Sequence, residues 1–302
     1  MRAVGNRWFW LVASVAGWTA AGLVLFADGS GAPPHGTEDA GAVEAPRRIV
    51  AMAPSLTEIL FALGLGDRIV GVTTDSNYPP AAKDKPVIGS FWQPDIEAVV
   101  TARPDMVVTE EFDQQIHLAQ RLRRLGYRTV SVDIWTVAQL YDAIERIGTV
   151  TGRRKDADAL LERIRGNIAR ISNRTTEGTR PKVLYVIQTA PLRVAGRETF
   201  INEFIELAGG VNAIGPTVQK YPPIGSEAVI ASGADVIIAP AMAGVRRAEL
   251  EKYFAMYESV PAVANKRIYV IEGDTVSRLG PRIDEAVETI ARCMRPQSSE
   301  SD

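Results

Sequence analysis

The chain has one cysteine, Cys293, in 302 residues. A lone thiol excludes a disulfide framework and a cysteine-held metal cluster. Histidine is almost as scarce, with only His35 and His117. A catalytic zinc draws on several His or Cys side chains, so the composition points away from a zinc enzyme and from a resident metal or cofactor. Neither sign of charge is in excess: 34 Lys and Arg stand against 36 Asp and Glu, for a net charge of -2. That balance removes the electrostatic case for a nucleic-acid partner. A phosphate-cradling loop is lacking too, because Gly64-Leu65-Gly66 has no third glycine and follows a helical pattern, not a strand. Ser226 sits in Ile224-Gly225-Ser226-Glu227, which lacks the second glycine of a nucleophile elbow. These absences favour binding over catalysis.

What is present is apolar and organised. A hydrophobic content of 46% over this length is enough for two α/β lobes. Arg2 and Arg7 precede an uncharged stretch from Trp8 to Ala27. At about 20 residues this segment, 1–27 with its basic flank, is long enough to span a bilayer. Leu25-Phe26-Ala27 is a poor cleavage site, so an uncleaved membrane anchor and a cleaved signal peptide both stay open. No cysteine follows the apolar run to accept a lipid. Basic residues ahead of the span put the body outside the cytoplasm, in the periplasm or on the outer face of the membrane. Residues 28–46 are rich in Gly, Ala, Pro and acidic residues and read as a flexible linker, and 297–302 reads as a disordered tail.

Between these ends, short apolar runs alternate with helical stretches, which implies parallel sheets covered on both faces. An N-terminal lobe is expected over 47–135. Strands are predicted at Ile49–Ala53, Ile69–Thr73, Met106–Thr109 and Thr129–Val132, and helices from Leu56, over Ile96–Thr101 and over Leu118–Leu125. Ser55 and Glu58 have the spacing of a capping box for the first helix. A C-terminal lobe is expected over 181–296, with strands at Val183–Ile187, Val236–Ala239 and Ile268–Ile271 and a closing helix over Asp284–Met294. Residues 136–180 carry helical periodicity alone: Val137–Val150, then Lys155–Arg174. At 1.5 Å per residue the second helix would be about 30 Å long, enough to cross from one lobe to the other. An ordinary surface helix packed on one lobe is the alternative.

Aromatics in loops are the clearest functional signal. Tyr78, Phe91, Trp92 and Tyr221 lie beside Pro, Ser, Gln or Gly and on no periodic face. Loops after parallel strands sit at the mouth of a sheet, where α/β proteins bind ligands. Aromatics there offer flat contact area at low entropic cost; local packing is the bland alternative for each one. Glu110 and Glu111 end a strand in a loop and could chelate or accept hydrogen bonds, with simple solvation as the bland alternative.

Arg48-Ile49-Val50-Ala51-Met52-Ala53-Pro54-Ser55-Leu56-Thr57-Glu58 resembles the opening of the helical-backbone solute-binding proteins of ABC importers, as do Asn77-Tyr78-Pro79-Pro80, Gly89-Ser90-Phe91-Trp92-Gln93 and Arg103-Pro104-Asp105-Met106. The resemblance runs from about Arg47 to Arg295. Within that family it is strongest to the vitamin B12-binding group, through Asn77–Pro80, Ser90–Gln93, Tyr221-Pro222, Asp274 to Arg278 and Pro281-Arg282. It implies two Rossmann-like lobes joined by a long α-helix, with the ligand in the cleft between them. It also implies that Pro54, Tyr78, Trp92 and Tyr221 pack on a corrinoid, with Phe91 and Gln188 alongside. Asp274 and Arg278 would hydrogen-bond its amides or base. A structural salt bridge is the competing reading of that pair, which is four residues apart. Glu110 stands where that group places a further aromatic, and Arg193 lies near Gln188. These polar substitutions leave room for a ferric siderophore. Haem fits less well, because only His117 and loop tyrosines could be axial ligands.

Glu97 and Glu227 occupy equivalent places, each in the first turn of a short helix that leads to a strand through Ala-x-x-Asp. Such glutamates also offset a helix dipole. The resemblance implies that they meet arginines of a dimeric permease whose cytoplasmic ATPase drives import. The chelate would be cargo, not cofactor. A membrane-tethered sensory module without a transporter, or an enzyme on the same architecture, are the readings from other classes.

Overall fold

The computed structural model describes residues 45–175, 180–241 and 246–295. The signal or anchor segment 1–27, nearly all of the 28–46 linker and the 297–302 tail lie outside the described residues.

The first lobe is a parallel sheet of four strands, β1 (Ile49–Ala51), β2 (Ile69–Val72), β3 (Met106–Glu110) and β4 (Thr129–Val132), in the order β2-β1-β3-β4. Alternate residues face opposite sides, as the pleat requires. Ile49, Ala51, Met106 and Val108 enter one core, and Val50 and Val107 enter another. Helices α1 (Pro54–Ala62), α2 (Ile96–Thr101) and α3 (Asp113–Arg124) connect these strands. Helix α3 begins five residues before Leu118, because its first turn is polar and carries no apolar period.

One local expectation fails. Ser55 and Glu58 do not form a capping box. Pro54 stands at the start of α1, where its missing N–H costs nothing, and Ala53 is the N-cap, without a side-chain hydrogen bond. Ser55 instead donates to Glu110, and Glu58 accepts from Arg282.

The connecting segment contains α4 (Val137–Val150) and α5 (Arg154–Thr175). The second lobe then has β5 (Lys182–Thr189), β6 (Leu192–Val194), α6 (Phe200–Leu207), β7 (Val211–Asn212), α7 (Ser226–Ser232), β8 (Val236–Ala241), α8 (Arg247–Phe254), α9 (Pro261–Ala264), β9 (Ile268–Glu272), α10 (Gly273–Val276) and α11 (Ile283–Met294). Its sheet runs β6-β5-β8-β9, with β7 also on β5. Strand β6 alone is antiparallel, folding back on β5 through Gln188 opposite Arg193.

The two sheets share one core. Its members run from Ile49 and Val108 through Leu140, Ile144 and Ile147 of α4 and Leu161, Ile164 and Ile168 of α5 to Val183, Ile238 and Ile290. Helix α5 lends Leu160, Leu161, Ile164, Ile168 and Ile171 to this core. Its N-terminal half packs on α4, and its side chains reach α11 through Arg163 to Asp284 (2.7 Å) and Arg174 to Glu288. The contribution is large: each fully buried Leu or Ile is worth about 1.5–3 kcal/mol relative to an exposed one.

A repeated hydrogen-bond device relates the lobes. The Asp105 carboxylate accepts from Arg48 N just before β1, while Asp105 N donates to Arg48 O. In the second lobe the Asp235 carboxylate accepts from Lys182 N at the start of β5, while Asp235 N donates to Lys182 O. Thus β1 matches β5, β3 matches β8 and α2 matches α7.

Candidate functional site

The candidate ligand-binding residues lie at the C-terminal ends of the strands of the two lobes. In the first lobe, the loop before α2 carries Phe91 and Trp92 to Phe112, the N-cap residue of α3. Phe91 stacks on Phe112 with centroids 4.7 Å apart, and Trp92 meets both edge-on at 4.9 and 5.4 Å. Trp92 is 38% exposed and Tyr78, after β2, is 41% exposed. Large apolar rings left open on a rigid cluster are available to a ligand.

Gln115 of α3 holds this surface together. It is fully buried, and its Nε2 donates to Met52 O (2.7 Å) and more weakly to Phe91 O (3.4 Å). Its Oε1 accepts from Glu110 N at 2.9 Å. Glu110, at the end of β3, takes the Ser55 hydroxyl hydrogen bond. Burial chiefly, with the nearby Asp133 charge adding to it, pushes the Glu110 carboxyl up to about 7 against the opposing effect of Ser55. Pro54 lies beside Ser55, half-buried at the head of α1.

The second lobe offers a more polar surface. Gln188, next to last in β5, donates to Pro191 O at 3.2 Å. Arg193 on β6 donates to Tyr221 O at 2.9 Å and so fixes the Tyr221 loop. Burial raises the Tyr221 phenol to about 12.

Asp274 and Arg278 are brought together, but with partners from the first lobe. Asn77 Nδ2 donates to Asp274 Oδ2 (2.6 Å), and Arg278 donates to Asn77 Oδ1 (2.8 Å), Asp75 O (3.2 Å) and Asp274 Oδ1 (3.3 Å). Beside them Arg282 makes a two-pronged pair with Glu58 at 2.7 and 2.8 Å and lies 3.8 Å over the Tyr78 ring. Glu58 is 3% exposed, so its charge is compensated almost wholly by Arg282 and, at 3.6 Å, Arg278. At the opposite sheet edge, Lys220 Nζ sits 5.0 Å over Trp135, an aromatic just beyond β4. The lobes thus touch at both edges of their facing ends. Phe112, Gln115, Trp135 and Glu58 are the residues that sequence reasoning missed as parts of this surface. A flag for Trp135 and Phe112 was available, since both are aromatics directly following strands.

Glu97 and Glu227 are exposed, in the first turns of α2 and α7, and neither makes an ion pair among the described residues. Their helices are equivalent by the Asp105 and Asp235 device. His117 is exposed on α3, away from any metal-binding cluster among the described residues. A groove of about 840 Å³ lies elsewhere, between α5 and α11. Its wall includes Arg174 and Glu288, already paired with each other, and none of the loop aromatics.

The model of the family described as periplasmic binding protein matches residues 49–275. An uncharacterised ABC transporter substrate-binding lipoprotein of Bacillus subtilis is 30% identical over 260 residues, covering 84% of this chain and 81% of the relative. The vitamin B12-binding protein of Vibrio cholerae is 24% identical over 248 residues, covering 82% of this chain and 89% of the relative. Among solved structures, a possible iron-binding periplasmic solute-binding protein from Staphylococcus epidermidis superposes with a TM-score of 0.75 at 28% identity, covering 84% of this chain and all of that one.

Proposed function

The chain belongs to the periplasmic binding protein family, and from that premise we propose that it captures cobalamin or a related corrinoid outside the cytoplasmic membrane and delivers it, chemically unchanged, to an ABC importer. The observation that carries this reading is the aromatic cluster of Phe91, Trp92 and Phe112, whose Trp92 ring is exposed, together with the exposed Tyr78. A corrin is a broad, mostly neutral disc fringed with amides. Flat aromatic faces suit the disc, and Gln188, Glu110 and Asp274 suit the fringe. The likeness to a vitamin B12-binding protein supports the same chemistry.

Release requires a partner. Glu97 and Glu227 present one exposed carboxylate on equivalent helices of each lobe, which suits a dimeric permease offering one cationic site per half. Such rim charges act chiefly on association rate and weaken with salt.

A second reading, a ferric siderophore as cargo, is favoured by Arg193, a cationic group opposite Gln188 that a neutral corrin does not need. Calorimetric titration of the full chain in mild detergent separates the two. Cyanocobalamin should bind at micromolar concentration or below and be recovered intact. Binding of ferrichrome with none of cyanocobalamin would replace the corrinoid by a siderophore. Turnover of the bound compound would end the binding-protein reading.

A further inference from the structure

We propose that Glu110 is the specificity-determining residue of the ligand surface: its carboxyl hydrogen-bonds an amide on the ligand's rim and takes up a proton from solvent when a neutral ligand covers it. This rests on the reading that the facing strand ends hold the ligand.

The placement comes from topology. Glu110 is the last residue of β3, which lies between β1 and β4, so it stands at the middle of the first-lobe surface and not at its rim. Its backbone is immobilised by Gln115, the same side chain that holds Met52 and Phe91. Its carboxyl is oriented by Ser55, which bonds Oε1 alone. Oε2 makes no hydrogen bond among the described residues and is not sealed from solvent. A half-used carboxyl of this kind is ready for a partner.

The contrast with Glu58 shows that Glu110 is not a structural ion. Glu58 is neutralised by two arginines. Glu110 makes no ion pair among the described residues. The groups that face it are Ser55 from α1, Gln115 from α3 and Asp133 beyond β4, two neutral and one of like charge. Burial chiefly, with the like charge of Asp133 added and the Ser55 hydrogen bond opposing, holds its carboxyl near 7.

The direction of the linkage follows. Covering Oε2 with a neutral ligand removes its remaining water and supplies no positive charge, so the complex favours the protonated acid. The O–H then donates to an amide carbonyl, while Oε1 still accepts from Ser55. Because the carboxyl's pKa is higher in the complex than in the free protein, affinity is greatest below about 7. It falls as pH rises through that value, by up to about tenfold per unit. A cationic ligand would reverse the slope.

The test is calorimetric titration of the full chain and of Glu110→Gln with cyanocobalamin, ferrichrome and haemin, from about pH 6 to 8.5, in phosphate and in Tris. Gln keeps the acceptor for Ser55 and cannot ionise. Wild type should bind cyanocobalamin about tenfold more weakly at the alkaline end and take up a fraction of a proton near neutrality, read from the difference between buffers. Glu110→Gln should show neither effect. Equal slopes in the two proteins overturn the proposal and leave the corrinoid reading intact. A Glu110-dependent slope with ferrichrome alone upholds the proposal and overturns the corrinoid. Binding of none of the three overturns both.

Discussion

In the first lobe, the helix-to-strand end is built from Glu97, α2 and the Asp105 carboxylate. In the second, it is built from Glu227, α7 and the Asp235 carboxylate, bonded to the neighbouring strand in the same way. At the facing strand ends the likeness stops. The first lobe presents three mutually packed aromatics and a lone carboxyl. The second presents Gln188, Tyr221 and an arginine pair already engaged across the gap. The two lobes share this hydrogen-bonding frame and differ in their loops. A partner with two equivalent halves would need the first kind of end, and an asymmetric ligand the second.

Three experiments press on this contrast. The largest effect should come from the symmetric ends. Replacing Glu97 and Glu227 together with Ala should abolish uptake of radiolabelled cyanocobalamin by cells, with affinity in solution unchanged. Each single replacement should slow uptake to a similar extent. Uptake by the double variant at the wild-type rate would make the symmetry purely architectural.

Next in size is the contact between lobes. Glu58→Ala leaves Arg282 and Arg278 without their buried counter-charge, and should lower the free energy of unfolding in urea by about 3–5 kcal/mol. Asp158→Ala, which breaks the exposed Arg154 pair on α5, should cost under about 0.5 kcal/mol. Similar losses from the two would mean that the Glu58 network is no stronger than a surface pair.

The smallest effect separates the facing surfaces. Trp92→Ala should weaken cyanocobalamin binding by about 1–3 kcal/mol, on the scale of base–aromatic stacking. Gln188→Ala should cost about 0.5–1.5 kcal/mol, the worth of one neutral hydrogen bond. The reverse order, measured by calorimetry, would put the main ligand contact on the second lobe.

Much of the frame was legible because it depends on period. Short apolar runs placed β1, β3, β4 and β8 within a residue or two, and helical spacing gave α4 at its observed limits and α5 to within one residue. Short elements escaped: β6 has three residues, too few to show alternation, and it exists because it folds back on β5. At the candidate site, the loop positions of Tyr78, Phe91, Trp92 and Tyr221 marked them as unusual before any coordinates. Gln115 gave no such mark, since a glutamine in a polar first turn looks solvated, and only packing shows it buried against Met52 and Phe91.

The same division applies to charge. Sequence by itself determined that the chain has two α/β lobes with a helical link, that it has few thiols and imidazoles, and that its loops carry aromatics. Those properties are local, set by neighbours within a few positions. Ser55 and Glu58 looked like a local pair for that reason, yet Ser55 turns to Glu110 and Glu58 to Arg282, 224 residues away. Which carboxylate is neutralised and which is left open was decided only by tertiary structure, because a charge is stabilised by whatever the fold brings within a few ångströms, and chain separation plays no part in that distance.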